Sequence, residues 1–330
     1  MAASKQVVGN PTPRVEGELK VSGKAKYAVD VTLPGMLWGK LYRSPIASGK
    51  IKRIDVSKAE ALPGVHAVVT GEDCTGLRIG RRLYDMPILA DGEVRFIGEK
   101  VAAVAADNES IAEEALNLIE VEFEETEPLL DPLEAMKPGA KLLHPDVMNY
   151  KGLPKALEAP SNEFVYVTWG KGDPEEGFRQ ADLIVENTFT TPVVHQSYIE
   201  PHSCVVSAAT DGSAEFWSCS KVPYGVREQV ANALKLPPEK LNFNPVYIGG
   251  DFGGKGDFMD LAVVYLLSKK AGRPVKLVMD YEEEFVAGNP RHASIIHVKT
   301  GVKKDGTLVA HRMSFIFDSG AYGATRARWT

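Results

Sequence analysis

Six prolines, Pro128, Pro132, Pro138, Pro145, Pro154 and Pro160, fall in one stretch that has neither helical nor strand periodicity. A proline fixes φ and removes a backbone donor, so a run this dense continues neither a helix nor a sheet ladder. The chain is split into two patterned units. The spacing predicts an extended arm over 1–20, a first domain over 21–135, a linker over 136–160 and a second domain over 161–330. With 330 residues in all, each unit is long enough to bury a core without disulfide or metal staples.

In the first unit, Leu37–Arg43 and 51–56 alternate apolar and polar residues as half-buried strands do. Residues 57–62 read as a short helix capped by Ser57 and stopped by Pro63-Gly64. Val65–Thr70 and 101–106 are β-rich runs. A helix over 110–118, with Ser110 as cap and Glu113 completing a capping box, leads into a strand over 119–123. In the second unit Asp173 caps a helix over 173–181, with Pro174 at its first position. A strand follows over 182–190, then a hairpin of 204–208 and Ala214–Ser218 across Asp211-Gly212. Residues 222–236 have helical spacing, 242–248 form a strand, 258–271 the most apolar helix and 275–279 the strand after it. Residues 295–302 and Leu308–Phe317 make a second hairpin around Asp305-Gly306. The class is α+β.

Composition removes several function classes. A net charge of −6 leaves no basic footprint for nucleic acid. Three cysteines, Cys74, Cys204 and Cys219, are an odd number without CxxC spacing, so they read as reduced, partly buried thiols and supply no iron–sulfur or zinc site. No apolar stretch reaches bilayer length, and the first residues lack a signal core; the expectation is a cytoplasmic protein without membrane contact.

The sharpest chemical feature is Ile248-Gly249-Gly250-Asp251-Phe252-Gly253-Gly254-Lys255-Gly256-Asp257. A strand ends in five glycines and a lysine immediately before a helix. Such a loop lets backbone amides approach an anion, with the helix terminus adding positive potential. It is neither a P-loop, since no Ser or Thr follows Lys255, nor a GxGxxG dinucleotide turn. By spacing alone, an anion cradle and a turn that packs helix on strand are equally good readings.

The segment resembles the Gly-Gly-x-Phe-Gly-Gly-Lys signature of the molybdenum-binding subunits of xanthine dehydrogenases, aldehyde oxidoreductases and their relatives. Further segments are similar to that family in the same order: Val21-Ser22-Gly23-Lys24-Ala25-Lys26-Tyr27, Leu33-Pro34-Gly35-Met36-Leu37, Arg43-Ser44-Pro45, Leu62-Pro63-Gly64-Val65, Ile97-Gly98-Glu99-Lys100-Val101-Ala102, Tyr198-Ile199-Glu200-Pro201, Arg291-His292, Lys304-Asp305-Gly306 and Asp318-Ser319-Gly320-Ala321-Tyr322. The resemblance spans about residues 7 to 323. It implies a small α/β-hammerhead domain followed by a mixed α/β molybdopterin-binding domain, in a hydroxylase acting on an aldehyde, an N-heterocycle or an aromatic substrate. It implies that Gly250, Asp251, Phe252, Gly253 and Gly254 line a molybdenum–molybdopterin group, in its dinucleotide form, with no direct protein ligand to the metal.

Departures from the family pattern bear on the site. Asp251 stands where the family has glycine. Lys221, in Cys219-Ser220-Lys221-Val222-Pro223, stands where it has a glutamine facing the metal's oxo group; a lysine still donates a hydrogen bond and its charge offsets Asp251. Gly256 and then Asp257 follow the motif lysine, where purine-oxidising members carry Glu; Asp257 is expected on the substrate side, and xanthine is not the expected substrate. Family subunits continue well beyond the Gly-Ala-Tyr segment with more pterin loops and a glutamate base. The resemblance thus implies a partner chain carrying that C-terminal half and the catalytic base, an iron–sulfur subunit with [2Fe–2S] clusters and an FAD subunit. Leu308–Phe317 is expected to leave a sheet edge and apolar surface for an obligate interface of roughly 2,000 Å² or more. The alternative is a non-catalytic scaffold with a pocket altered at Asp251 and Lys221.

Other candidates read as structural. His195 and His202 flank Glu200 without helical-face spacing or a third ligand, so hydrogen bonding is favoured over metal binding. Glu200 reads as a buried, paired carboxylate supporting the pocket. Glu282-Glu283-Glu284 reads as the solvated first turn of a helix. Arg291-His292 and Arg326-Ala327-Arg328 read either as charge for a partner's carboxylates or as plain surface charge.

Overall fold

A computed structural model describes residues 8–153, 157–257 and 260–323. Strands from both sequence units hydrogen-bond into one seven-stranded sheet. Its spatial order is Leu241–Asn244, Ala214–Ser218, Ser203–Ala208, Val275–Val278, Leu37–Arg43, Lys100–Ala106 and Val65–Thr70. The seam between the units is the parallel pairing of Leu37, Trp38 and Gly39 with Val275, Lys276 and Leu277. The proline-rich stretch is therefore a boundary in sequence, while the sheet runs across it.

Alternation explains why the strands Lys100–Ala106 and Val65–Thr70 of this sheet have a core on each face, while Ala214–Ser218 and Leu241–Asn244 bury mainly one. On one face Leu37, Leu41, Val69 and Ala103 join Val206, Phe216 and Leu277 beneath the helices Pro223–Leu234 and Leu261–Ala271. On the other, Val68, Ala102 and Val104 pack with Ala59 and Ala115 from the helices Ser57–Ala61 and Glu109–Asn117. Lys100–Ala106 is covered on both sides, which is why it reads as a continuous apolar run. A small sheet of Glu93–Val94, Gly49–Asp55 and Glu120–Glu125 adds to the first unit. A separate antiparallel sheet of Leu308–Phe317, Ser294–Val302 and Leu183–Thr191 forms the far end of the second.

Two ionic clusters tie the units together. Arg43 Nε lies 2.8 Å from Glu283 Oε1 and its Nη2 3.3 Å from Asp260 Oδ2, and Lys100 Nζ lies 3.2 Å from the other Asp260 oxygen. Tyr322, buried, donates to Glu99, and Arg95 Nη1 donates to Tyr322 Oη at 3.3 Å. His144 Nε2 sits 2.7 Å from the Ala321 carbonyl; burial pushes the His144 imidazole down to about 4, and Arg95 and Arg78 push the same way.

Most elements match their sequence pattern, and the differences have local causes. Within the arm expected to be extended, Gly17–Val21 is a short helix, with Glu18 in its first turn and Lys20 in its last. Asn108, not Ser110, caps Glu109–Asn117, its side chain accepting from the Ile111 amide at 2.9 Å. Ser57 lies inside its helix, with its hydroxyl bonded to Asp55 Oδ1 at 2.6 Å. The strand expected over 242–248 is ordered only as Leu241–Asn244, with an isolated bridge from Tyr247 to Tyr27. All three cysteines are free and buried, as expected. Among the described residues no helix is long and apolar enough to cross a membrane. Arg326 and Arg328 lie outside the described residues.

Candidate functional site

Tyr198, 1% exposed, is the post around which the site is assembled. Its hydroxyl donates to Glu284 Oε2 at 2.7 Å, and the Lys255 ammonium lies 4.7 Å from its ring centroid. The glycine loop wraps this post so closely that side chains are excluded. A Cβ at Gly254 would fall 2.6 Å from Tyr198 Cε1, one at Gly250 3.0 Å from Tyr198 Cβ, and one at Gly253 2.8 Å from Arg291 Nη2. Gly250 and Gly253 also hold positive φ, +105° and +100°. At Gly250 both the space and the backbone angle favour glycine; at Gly253 the backbone angle does, since the Arg291 guanidinium is the end of a flexible side chain.

Between those glycines Phe252 takes φ +43° with its side chain 65% exposed. A left-handed aromatic residue costs about 1–3 kcal/mol, so the surroundings must impose it. Asp251 does much of this. Its Oδ2 accepts from the Gly253 amide at 3.0 Å, its Oδ1 from the Lys255 amide at 2.7 Å, and its carbonyl from the Gly254 amide at 2.7 Å. Lys221 Nζ lies 2.6 Å from Asp251 Oδ2, so the two departures from the family pattern neutralise one another. Burial favours the protonated acid, but Lys221 and the two amides outweigh it and hold the Asp251 carboxyl below its usual range. Arg291 closes the far side by donating to the Phe252 carbonyl.

Beneath the loop, the fully buried Lys255 ammonium donates to Glu200 Oε2 at 2.7 Å and to the Glu200 carbonyl at 2.6 Å. Glu200 Oε2 also accepts from the Gly249 amide at 2.7 Å, which makes it the paired supporting carboxylate expected from sequence. Glu284 differs from expectation. It is 1% exposed, not solvated, and accepts from Tyr198 and the His202 amide, with His202 Nδ1 at 3.0 Å and His195 Nε2 at 3.6 Å. Burial alone would raise its carboxyl; the His202 interactions and the Tyr198 hydroxyl outweigh that and lower it to about 2. Among the described residues no group of three or more His, Cys, Asp or Glu side chains is placed to hold a metal ion.

The structure thus brings Lys221, Gly250, Asp251, Phe252, Gly253 and Gly254 into one loop cluster. Asp257 lies on its inner side, 6% exposed, lining a cavity of about 20 Å³ with His202, Ser203, Cys219, Lys255 and Asp260, room for roughly one water. Burial pushes the Cys219 thiol up to about 11, so it stays protonated there. The sequence reading missed the roles of Tyr198, Arg291 and Glu284. Glu284 finds its partners 82 and 86 residues away, and nothing local separates it from its two acidic neighbours.

The residues present fit an anionic cofactor. Among the described residues, no protein acceptor lies within hydrogen-bond distance of the Gly250 and Phe252 amides, on a turn that faces outward. Unspent amides on a glycine turn are donors for a phosphate- or pterin-bearing group.

Known proteins give the same picture. Residues 157–329 match the family model of a molybdopterin cofactor-binding domain, and residues 22–127 that of the aldehyde oxidase and xanthine dehydrogenase a/b hammerhead domain. The chain is 37% identical over 310 residues to a probable xanthine dehydrogenase subunit of Bacillus subtilis, covering 94% of this chain and 40% of that one. It is 33% identical over 325 residues to the nicotinate dehydrogenase large molybdopterin subunit of Eubacterium barkeri, covering 98% and 73%. A reconstituted CO dehydrogenase from Oligotropha carboxidovorans superposes with a TM-score of 0.83 at 31% identity, over 93% of this chain and 39% of that one.

Proposed function

The chain belongs to the aldehyde oxidase and xanthine dehydrogenase family of molybdopterin-binding proteins, and from that premise we propose that it supplies one part of the molybdenum site of a hydroxylase. The Phe252–Gly253 turn carries this reading: it is strained, outward-facing, braced from three sides and left with unspent amides. Strain of this kind persists where the surroundings impose it, and it clusters at functional sites.

In this reading Gly250, Asp251, Phe252, Gly253 and Gly254 hold a molybdopterin dinucleotide and Lys221 donates toward its oxygen ligands. Asp257, expected on the substrate side, is instead buried beneath the loop beside a cavity with room for about one water and is not placed to meet a substrate. When bound, the group supplies the oxidation chemistry. The chain's own residues do three things. The loop amides bind negative charge, Asp251 and Lys221 fix the loop without adding net charge, and the buried Lys255–Glu200 pair sets its height above Tyr198. The substrate class is an electron-poor aldehyde, N-heterocycle or aromatic compound. The chain spans 40% of the Bacillus subtilis relative and 73% of the Eubacterium barkeri one; in this reading the remaining pterin loops and the glutamate base lie outside these 330 residues, and [2Fe–2S] and FAD subunits complete a cytoplasmic complex.

Metal and pterin analysis of the native complex, carrying either the wild-type chain or Gly253→Val, tests this. The wild-type complex should contain both, and the variant should lose most of its molybdenum while still assembling, because the new side chain meets Arg291 at a positive φ. A wild-type complex free of molybdenum and pterin overturns the proposal in favour of a scaffold.

A further inference from the structure

In a chain of net charge −6, one cleft gathers positive charge where the first unit, the proline-rich linker and the second unit meet. Its volume is about 340 Å³, at the small end of the roughly 300–1,000 Å³ usual for ligand pockets. Arg78 and Tyr84 come from the first unit, Asp146, Tyr150 and Lys151 from the linker, and Lys235 from the end of the helix Pro223–Leu234. Asp146 is the one acid among the described lining residues, so the three cations outnumber it.

Two of these cations are positioned by aromatic rings. Arg78 Cζ lies 4.4 Å from the Tyr150 ring centroid and Lys151 Nζ 5.0 Å from that of Tyr84. Arg78 Nη1 donates to the Asp85 carbonyl at 2.7 Å, and its Nη2 lies 3.4 Å from Asp146 Oδ2. Asp146 Oδ1 accepts from the Tyr150 hydroxyl at 2.6 Å, so that carboxylate is shared and offsets Arg78 only in part. Lys151 Nζ donates to Asn232 Oδ1 at 2.7 Å, one bond from a group that has three donors. The Lys235 ammonium has neither an acceptor nor a carboxylate partner among the described residues. Its backbone adds a second sign. Lys235 takes φ +55° and ψ 41°, the left-handed position after a helix that glycine ordinarily fills. A lysine kept there trades backbone ease for a side chain in the cleft, and such strain collects at binding sites.

We propose that this cleft binds a small phosphate-bearing anion. A guanidinium fork and two ammonium groups match the several oxygens of a phosphoryl group, which accept from more than one cation at once. The bound anion would neutralise the excess positive charge and join three segments of the chain. The Tyr84 amide already donates to the Lys151 carbonyl at 2.9 Å, so the first unit and the linker form one wall before any ligand arrives. Lys235 faces that wall from the second unit. The cleft shares no lining residue with the glycine turn, and the inference does not depend on the molybdenum reading.

Calorimetric titration of the full chain with inorganic phosphate and with ribose 5-phosphate tests this, the tighter of the two showing whether the cleft takes the free ion or an ester. At least one should bind with Kd below about 1 mM. K151A/K235A should weaken that binding by at least about tenfold. The control K303A/K304A removes the same charge from the exposed turn of the far hairpin and should stay within about twofold of wild type. Lys235→Gly separates ligand binding from folding. Glycine relieves the left-handed turn, so the denaturant midpoint should hold or rise while affinity falls by at least about threefold. Absence of binding by both probes overturns the proposal. So does undiminished binding by K151A/K235A, the result that binding at the glycine turn would give, or an equal loss in the control, which would show a response to overall charge alone.

Discussion

The two larger sheets of this molecule obey the same alternation and end in opposite situations. In the seven-stranded sheet, Lys100–Ala106 is buried along its length because helices from both sequence units cover both faces. In the three-stranded sheet, Leu183–Thr191 is exposed at every position although it is as apolar as many buried strands. One sheet is finished within these residues; the other is packed at the Gly301–Ala310 end, against Phe178, and is open over most of both faces. A strand's sequence states that a face wants cover, and the rest of the chain decides whether it gets it.

Truncating one aromatic in each sheet should give very different losses. Phe216 is fully buried in the central sheet, stacked 4.6 Å from Phe243, and Phe216→Ala should cost about 3–5 kcal/mol of unfolding free energy. Phe315→Ala, on an open face, should change the isolated chain by no more than about 0.5 kcal/mol. Denaturant titration of both variants gives the two values, and equal losses would mean that the sheets do not differ in this way.

The pH dependence separates the site from the seam between units. His144 is held down at about 4 against an ordinary 6.5, so the unfolded chain takes up its proton first. Its contribution is complete above about 6.5 and is lost as pH falls toward 4. Glu284, lowered from 4.5 to about 2, contributes fully above about 4.5 and loses this as pH falls toward 2. Unfolding free energies measured from pH 7 to 3 should therefore fall in two stages, and His144→Gln should flatten the first alone. A single stage below pH 4.5 would mean that His144 does not anchor the Ala321–Tyr322 segment.

A slighter change is expected at the surface of the site. Lys221 is 41% exposed where it meets Asp251, so Lys221→Met should cost less than about 1 kcal/mol of stability. A larger loss in the same titration would make this pair a structural clasp rather than a local charge balance.

Much of this was legible in sequence because it is local. Asp173 and Pro174 start their helix as read, and Asp305-Gly306 turns the hairpin of Ser294–Val302 and Leu308–Phe317. The glycine run marks a loop whose crowding against Tyr198 and Arg291 leaves little room for anything larger. The Lys221–Asp251 pairing could be anticipated because opposite charges stand at both departures from the family pattern. What could not be read is long-range. The parallel pairing of Leu37 with Val275 joins the units across more than two hundred residues, and no period in either segment encodes it. Glu284 read as a solvated acid, and Arg291 as charge for a partner's carboxylates or for the plain surface, because their partners, His202 and the Phe252 carbonyl, lie far away in the chain.

On the function proposed above, this chain holds only part of a molybdenum site. Molybdenum and pterin content per chain, measured in the isolated 330-residue protein and in the native complex, decides whether that is so. An open loop with one bare flank cannot keep water from the cofactor, so the isolated chain should carry well under about one tenth of an equivalent, and the complex close to one. A stoichiometric cofactor on the isolated, monomeric chain would show that the site is whole without a partner.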